Sequence, residues 1–300
     1  MDADKYLEDV LKSQTLDDDG EEMKALCKRK GEVEKLLKDK FTNNPTIRFA
    51  GSKTKGTMIR ESYDLDITCY FKSEDTQAGD SLKDIYQNVR AALQAKYTVE
   101  SKASALRLRG LDHDIHGVDF HIDVVPGRFS DDKSKDVFLH RENDDKVRLK
   151  TNPDVHVEHV RDSGVRDAIR LAKLWRERNG VGIKSFVLEL LVVDLLREKK
   201  DRWLQTQMKH LWTEFRDHSA SLSVKDPANP EGNDLSSFLG EDVRNQLMQI
   251  ATRTMEQVDA DDWEKVYGKV GKENASAMSS LLSAAITSRP TSQTFKPFAG

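Results

Sequence analysis

Gly51-Ser52-Lys53-Thr54-Lys55-Gly56-Thr57, followed by Tyr63-Asp64-Leu65-Asp66-Ile67, decides how the rest of the chain is read. Leu65, Ile67, Cys69 and Phe71 alternate with other residues, the period of a strand. Side chains on a strand alternate between faces, so Asp64 and Asp66 point the same way. Two carboxylates on one face can hold a hard divalent cation through oxygen. The Gly-Ser turn upstream offers backbone N–H groups and a hydroxyl, which suit a phosphate. A bare Asp-x-Asp reads equally well as a charged surface strand or an edge guard. The turn beside it points instead to a metal-bound nucleoside triphosphate.

A third element supports that reading. In Val118-Asp119-Phe120-His121-Ile122-Asp123-Val124-Val125-Pro126, the residues Asp119, His121 and Asp123 share one strand face. Asp123 beside the Asp64/Asp66 strand completes a three-carboxylate set, an unfavourable gathering of like charge without a cation.

Outward from this core, the elements are expected as follows. Residues 5–41 read as helix, with a break at Asp17-Asp18-Asp19-Gly20 and a possible kink at Gly31. Two strands flank the Gly51 turn within 46–71, and a helix covers 80–96. Strands follow at 97–109 and 117–126, the second stopped by Pro126-Gly127, then charged loops at 130–136 and 141–146. From Asn152-Pro153 the chain turns helical. One long helix ends at Asn179-Gly180, and 184–199 forms a helix apolar on nearly all sides, the hub of this half. Asp226-Pro227-Ala228-Asn229-Pro230 begins a structured loop, and helices are expected near 236–258 and 260–287. The expected domains are an N-terminal helix (1–41) packing across both halves, a mixed α/β catalytic half (42–150), a helical half (151–287) and a flexible tail (288–300).

Composition narrows the function classes. The chain has 300 residues, 37% hydrophobic and 33% charged, with a net charge of −4. Acidic and basic residues are interleaved, which argues against a grip on long nucleic acid. No apolar run reaches membrane-spanning length, and the longest, at 188–196, contains Glu189 and Asp194. The start, Met-Asp-Ala-Asp, lacks a basic and apolar leader, so no secretory signal is expected. Cys27 and Cys69 are too few for a four-cysteine zinc site and fit a reducing cytoplasm. His113, His116 and His121 lack zinc spacing; His140 and His156 read as structural.

Gly51-Ser52, Asp64-x-Asp66 and Asp123-Val-Val-Pro resemble the nucleotidyltransferase superfamily of DNA polymerase β type. Asn152-Pro153-Asp154-Val155-His156, Lys173-Leu174-Trp175, Lys184-Ser185-Phe186, the Asp226 loop and Asp261-Asp262-Trp263 narrow it. They resemble the helical half of the bacterial CD-NTases, relatives of cyclic GMP–AMP synthase and oligoadenylate synthase that act in CBASS antiphage systems. The resemblance implies an α+β fold, a polymerase β-like palm with a mixed sheet and a helical C-terminal lobe. It implies a cytoplasmic bacterial enzyme that condenses ATP and other ribonucleoside triphosphates into a cyclic di- or trinucleotide second messenger, releasing pyrophosphate. The alternative within the superfamily is template-independent extension of RNA ends.

The same resemblance assigns roles. Asp64, Asp66 and Asp123 would hold two Mg²⁺ ions, with Mn²⁺ as a substitute, and Asp123 would help activate the attacking hydroxyl. Ser52 and the Gly51 amide would hold terminal phosphates. Lys173 reads as a triphosphate ligand or an ordinary surface lysine, and Ser185 as a phosphate contact. Phe186 reads as a base-stacking ring or as core packing, and Asn233 as a contact to a base edge. No Cys/His cluster or long basic run is present, so no obligatory DNA or RNA activator is expected. The terminal Gly300 is either a frayed end or the point at which a ubiquitin-transfer-like enzyme conjugates the protein, with a product-activated effector acting downstream.

Overall fold

The computed structural model describes residues 2–270 except 43, 110–120, 132, 134, 142–147, 230 and 232. The N-terminal segment is two helices, α1 (Ala3–Gln14) and α2 (Glu21–Lys40), broken across Asp17 to Gly20 as expected. α2 runs through Gly31 without interruption. α1 buries Tyr6, Leu7 and Val10 in the core of the helical lobe, whereas α2 buries Met23, Leu26, Val33 and Leu37 against the sheet.

Among the described residues seven strands form one mixed sheet: β1 (Thr46–Phe49), β2 (Leu65–Phe71), β3 (Thr98–Ser101), β4 (Leu106–Arg109), β5 (Ile122–Phe129), β6 (Val137–His140) and β7 (Arg148–Thr151). The order is β1-β2-β5-β4-β3, with β6 and β7 continuing from the far end of β5. Among the described residues only the central β2–β5 pair is parallel. Helix α4 (Leu82–Gln94) packs Ile85, Tyr86, Val89 and Leu93 on the sheet, and a reciprocal Ser81–Asp84 capping box fixes its start.

Two strand expectations are corrected. Pro126-Gly127 does not stop β5, which runs on to Phe129. β4 pairs with residues 122–124 and β6 with 127–129, so Pro126 falls in the gap between them, where its missing N–H deprives no partner. A Cβ on Gly127 would stand 2.7 Å from Leu139, so glycine here lets β6 approach. The segments read as charged loops flank two further strands, β6 and β7, whose four-residue lengths show too little alternation to detect. The Gly51 turn is itself a short helix, α3 (Gly51–Lys55).

The helical lobe comprises α5 (Pro153–Arg161), α6 (Arg166–Asn179), α7 (Ser185–Leu195), α8 (Leu204–Asp217), α9 (Glu241–Asp259) and α10 (Trp263–Tyr267). The single long helix expected after Pro153 is two, split at Gly164, whose φ of +80° no helix accommodates. α8 was not foreseen. Of the last expected helix, the described part is five residues long, and the remainder and the tail lie outside the described residues. α7 buries residues 187–193, including Glu189, and is the hub of this core. Trp212 packs 6.4 Å from Trp175 and 5.8 Å from Trp263, ring centre to ring centre. Among the described residues no helix is long and apolar enough to cross a membrane.

Candidate active site

The site begins where β1 ends. Ala50 N–H donates to the Asp66 carbonyl at 2.9 Å, and Gly51, at φ +59°, turns the chain into α3. A Cβ on Gly51 would lie 1.6 Å from Asp66 Oδ2. The Asp66 carboxylate therefore rests on the bare Cα of the turn. No other residue type leaves that space, and few tolerate that backbone conformation.

Sheet register sets the next contacts. Asp66 on β2 lies opposite Asp123 on β5, and Asp123 lies opposite Arg107 on β4. Asp66, Asp123 and Arg107 thus form a row across three neighbouring strands, on one face. Arg107 donates from Nε and Nη2 to the two Asp123 oxygens at 2.8 and 2.7 Å. That fork holds the arginine above its ordinary pKa, and burial opposes it. Asp64 precedes β2 at the cleft's rim.

The carboxylates disturb one another. Burial, followed by the charges of Asp64 and Asp123, pushes the Asp66 carboxyl up to about 7, against the pull of Lys55 and Lys173. Asp64 is exposed along one edge. The protein crowded about the rest of it raises its carboxyl, Asp123 adds to the rise, and His121 opposes it.

A second, buried network ties this turn to the helical lobe. Glu189 on α7 is 2% exposed. It accepts from Lys55 Nζ at 2.7 Å and from Thr57 Oγ1 at 2.7 Å. Lys173 Nζ on α6 donates to the Thr57 carbonyl at 3.0 Å and stands 3.7 Å from Glu189. Burial lowers the Lys173 pKa although Glu189 pulls the other way. Burial would raise the Glu189 carboxyl, but Lys55 and Lys173 outweigh it and hold it low.

The sequence-derived residues sort accordingly. Gly51, Asp64, Asp66 and Asp123 converge. Ser52 lies half-buried in the first turn of α3, and its carbonyl accepts from Thr57 N–H at 3.0 Å. Lys173 is not a surface lysine: it is 3% exposed, with its ammonium committed to the Thr57 carbonyl. Ser185 opens α7, half-buried. Phe186 is engaged by packing, with Lys55 Nζ 4.6 Å from its ring centre and His156 at 4.9 Å. Asn233 faces its own loop, donating to Asp226 Oδ2 at 2.7 Å, and Asp226 pairs with His156 at 2.6 Å. That bond closes the loop on which Asn233 sits. Asp119, His113 and His116 lie outside the described residues.

Sequence reasoning missed Arg107, Lys55, Thr57 and Glu189. Register alone places Arg107. Glu189 carried a signal, a lone carboxylate inside an apolar helix, which is stable only when paired. Among the described residues no three His, Cys, Asp or Glu side chains sit at metal-ligating separation, and Asp123 is turned onto Arg107. The free cysteines stand apart from one another in kind, Cys27 exposed and Cys69 buried.

A mixed sheet carrying paired aspartates at the head of one central strand and a third on its parallel neighbour, backed by a helical lobe, is the polymerase β-type nucleotidyltransferase fold. Within that fold the chain matches the CD-NTases in both sequence and structure. No protein-family profile matches it. The CBASS oligonucleotide cyclase CdnC of Escherichia coli (strain KTE188) is 22% identical over 79% of this chain and 86% of the relative. The structure of E. coli MS115-1 CdnC with ATP superposes with a TM-score of 0.65 at 18% identity, covering 89% of this chain and 98% of that one. The Bradyrhizobium diazoefficiens CD-NTase CdnG in complex with GTP gives a TM-score of 0.68 at 13% identity, covering 92% and 97%.

Proposed function

We propose that the protein is a divalent-metal-dependent nucleotidyltransferase that condenses ribonucleoside triphosphates into a cyclic di- or trinucleotide messenger in antiphage defence. The observation that carries this reading is the convergence of Asp64, Asp66 and Asp123 beside the Gly51 turn. The similarity to an oligonucleotide cyclase over most of both chains directs it to cyclisation.

The donor set fits Mg²⁺. Three carboxylates gather at one cleft, and burial, followed by the charges of Asp64 and Asp123, pushes Asp66 up to about 7, a charge density that a hard cation would offset. Asp64, Asp66 and Asp123 would hold two ions, with Mn²⁺ as a substitute, and Asp123 would have to release part of its grip on Arg107. When bound, the metals supply acidification of the attacking hydroxyl and neutralisation of phosphate charge. Gly51 leaves room for Asp66 and presents a backbone N–H at the turn. The Ser52 hydroxyl stands beside it for a terminal phosphate. Lys173 and Lys55 hold the turn and lend it positive field. Ser185 and Phe186 border the same network, and a base stacking on Phe186 would share the ring with Lys55 and His156.

The test is incubation of purified protein with Mg²⁺ and all four ribonucleoside triphosphates, beside an Asp64→Ala/Asp66→Ala control, with phosphatase treatment and mass spectrometry. Phosphatase-resistant cyclic products absent from the control are expected. Extension of a labelled RNA end without cyclic product would favour the terminal-transferase reading. Conjugation through Gly300 is a separate proposal. Recovery of conjugates from a chain lacking Gly300, beside the partner enzyme, would reject it.

A further inference from the structure

Outside the cleft, a cavity of about 450 Å³ opens where the α5–α6 connection meets the segment leading into α8. It is lined by four cations, Arg161, Arg166, Lys200 and Arg202, and two carboxylates, Asp162 and Asp167. The carboxylates are already engaged, Asp162 by Arg161 at 2.9 Å and Asp167 by Arg170 at 3.5 Å. Arg166, Lys200 and Arg202 have no ion pair or side-chain hydrogen bond among the described residues. The cavity thus carries four cations against two carboxylates.

Two further features point the same way. The first residues of α6, a helix of 14 residues, line the cavity, and no side chain caps them. Their N–H groups and the helix dipole favour a negative ligand. The opposite wall is built rather than loose. The buried Gln207 side chain donates to the carbonyls of Lys199, Lys200 and Arg202 at 3.1, 3.1 and 3.0 Å, fixing the segment that carries two of the cations.

Trp203 sits in the chain between the lining residues Arg202 and Leu204 and is 73% exposed. The other three tryptophans are 0–1% exposed. A single exposed apolar residue is ordinary. An exposed indole next in the chain to a cavity-lining arginine can supply the pairing that binds a phosphate with a flat ring attached, since bases stack on aromatics and cations take the phosphates. The volume suits a ligand of nucleotide size.

We propose that this cavity is a second, non-catalytic site for a nucleotide-class ligand. Its phosphates would meet Arg166, Lys200, Arg202 and the first turn of α6, and its base would stack on Trp203. The source is a free nucleotide or a short single strand. The proposal goes beyond the catalytic reading and does not depend on it. Arg166 gives the site a line to the catalytic turn: its Nη1 lies 2.9 Å from the Cβ position of Gly56, which caps α3, and Gly51 at the other end of α3 carries Asp66.

The test uses the full-length Asp64→Ala/Asp66→Ala protein without divalent metal, so that neither turnover nor metal loading enters. Acrylamide, a neutral quencher, reports on Trp203 because the other tryptophans are buried. AMP, hexa-adenylate and inorganic tripolyphosphate are the probes. AMP or hexa-adenylate is expected to shield Trp203, and tripolyphosphate to compete without shielding. Lys200→Glu/Arg202→Glu is expected to weaken the shielding by about tenfold or more with an unchanged melting curve. Stronger shielding by hexa-adenylate than by AMP, per molecule, identifies a strand; equal shielding identifies a free nucleotide. Absence of shielding at millimolar probe, shielding untouched by the charge reversal, or equal shielding by tripolyphosphate overturns the proposal.

Discussion

Gly51 and Asp66 occupy one space, and that contact is testable at the level of single atoms. In Gly51→Ala the new methyl collides with the Asp66 carboxylate, and the positive φ adds strain. Product formation is expected to fall by about 100-fold or more, the scale of an ångström-sized displacement of a reacting group, while circular dichroism shows a folded protein. Asp66 also couples stability to pH. Its folded pKa, about 7, exceeds the ordinary carboxylate value of 3.8. The fold therefore disfavours the ionised form. No penalty exists below about pH 4, where both states are protonated; it grows as pH rises and is complete above about pH 7. Mg²⁺ should relieve it. The Mg²⁺-induced rise in melting temperature is expected to be larger at pH 8 than at pH 5.5, and an equal rise at both would contradict this account of Asp66.

Elements meet here through charge as well as through apolar packing. α3, α6 and α7 join at Glu189, which faces two buried lysines. Glu189→Gln removes the carboxylate paired with those lysines and is expected to cost about 3–5 kcal/mol in urea unfolding, the range for breaking a buried pair. Lys55→Met removes one of the stranded charges, so the double variant should lose less than the sum of the two single losses. Additive losses would mean that Glu189 acts independently of Lys55. The strands show a related economy: Pro126 is tolerated inside β5 because it stands where β4 has ended and β6 has not begun.

Across the whole molecule, two cores are stitched by their N-terminal helices and by a few polar ties. α1 belongs to the helical core and α2 to the sheet core. Tyr6 Oη anchors α1 within the helical lobe by donating to the Gly268 carbonyl at 2.6 Å, and Arg178 on α6 reaches the segment before β2, donating from Nε to Glu61 at 2.9 Å. With Glu189 buried between them, the two cores should unfold together. Trp212→Ala, at the centre of the aromatic cluster, is expected to cost about 3–5 kcal/mol and to shift a single transition seen alike by tryptophan fluorescence and far-ultraviolet circular dichroism. Two separated transitions would show that the lobes fold independently.

What was legible in the chain was whatever depends on near neighbours. The Gly-Ser turn, the Asp64/Asp66 spacing, the break after α1 and the apolar α7 are written in consecutive residues, because backbone sterics and side-chain alternation act over a few positions. The family resemblance gathered those short signals into a fold class. The sequence by itself thus determined a mixed sheet with converging aspartates and a helical half. It did not determine that α3 is a helix, that β5 passes through Pro126, or that the helix after Pro153 is split at Gly164. Only the tertiary structure decided that Arg107 clasps Asp123, that Lys173 is buried on the Thr57 carbonyl, that Asn233 closes its own loop, and that the segment leading into α8 walls a cationic cavity. The reason is physical: these contacts join residues from 7 to 116 positions apart, and their geometry is set by strand register and lobe packing, which no local pattern encodes.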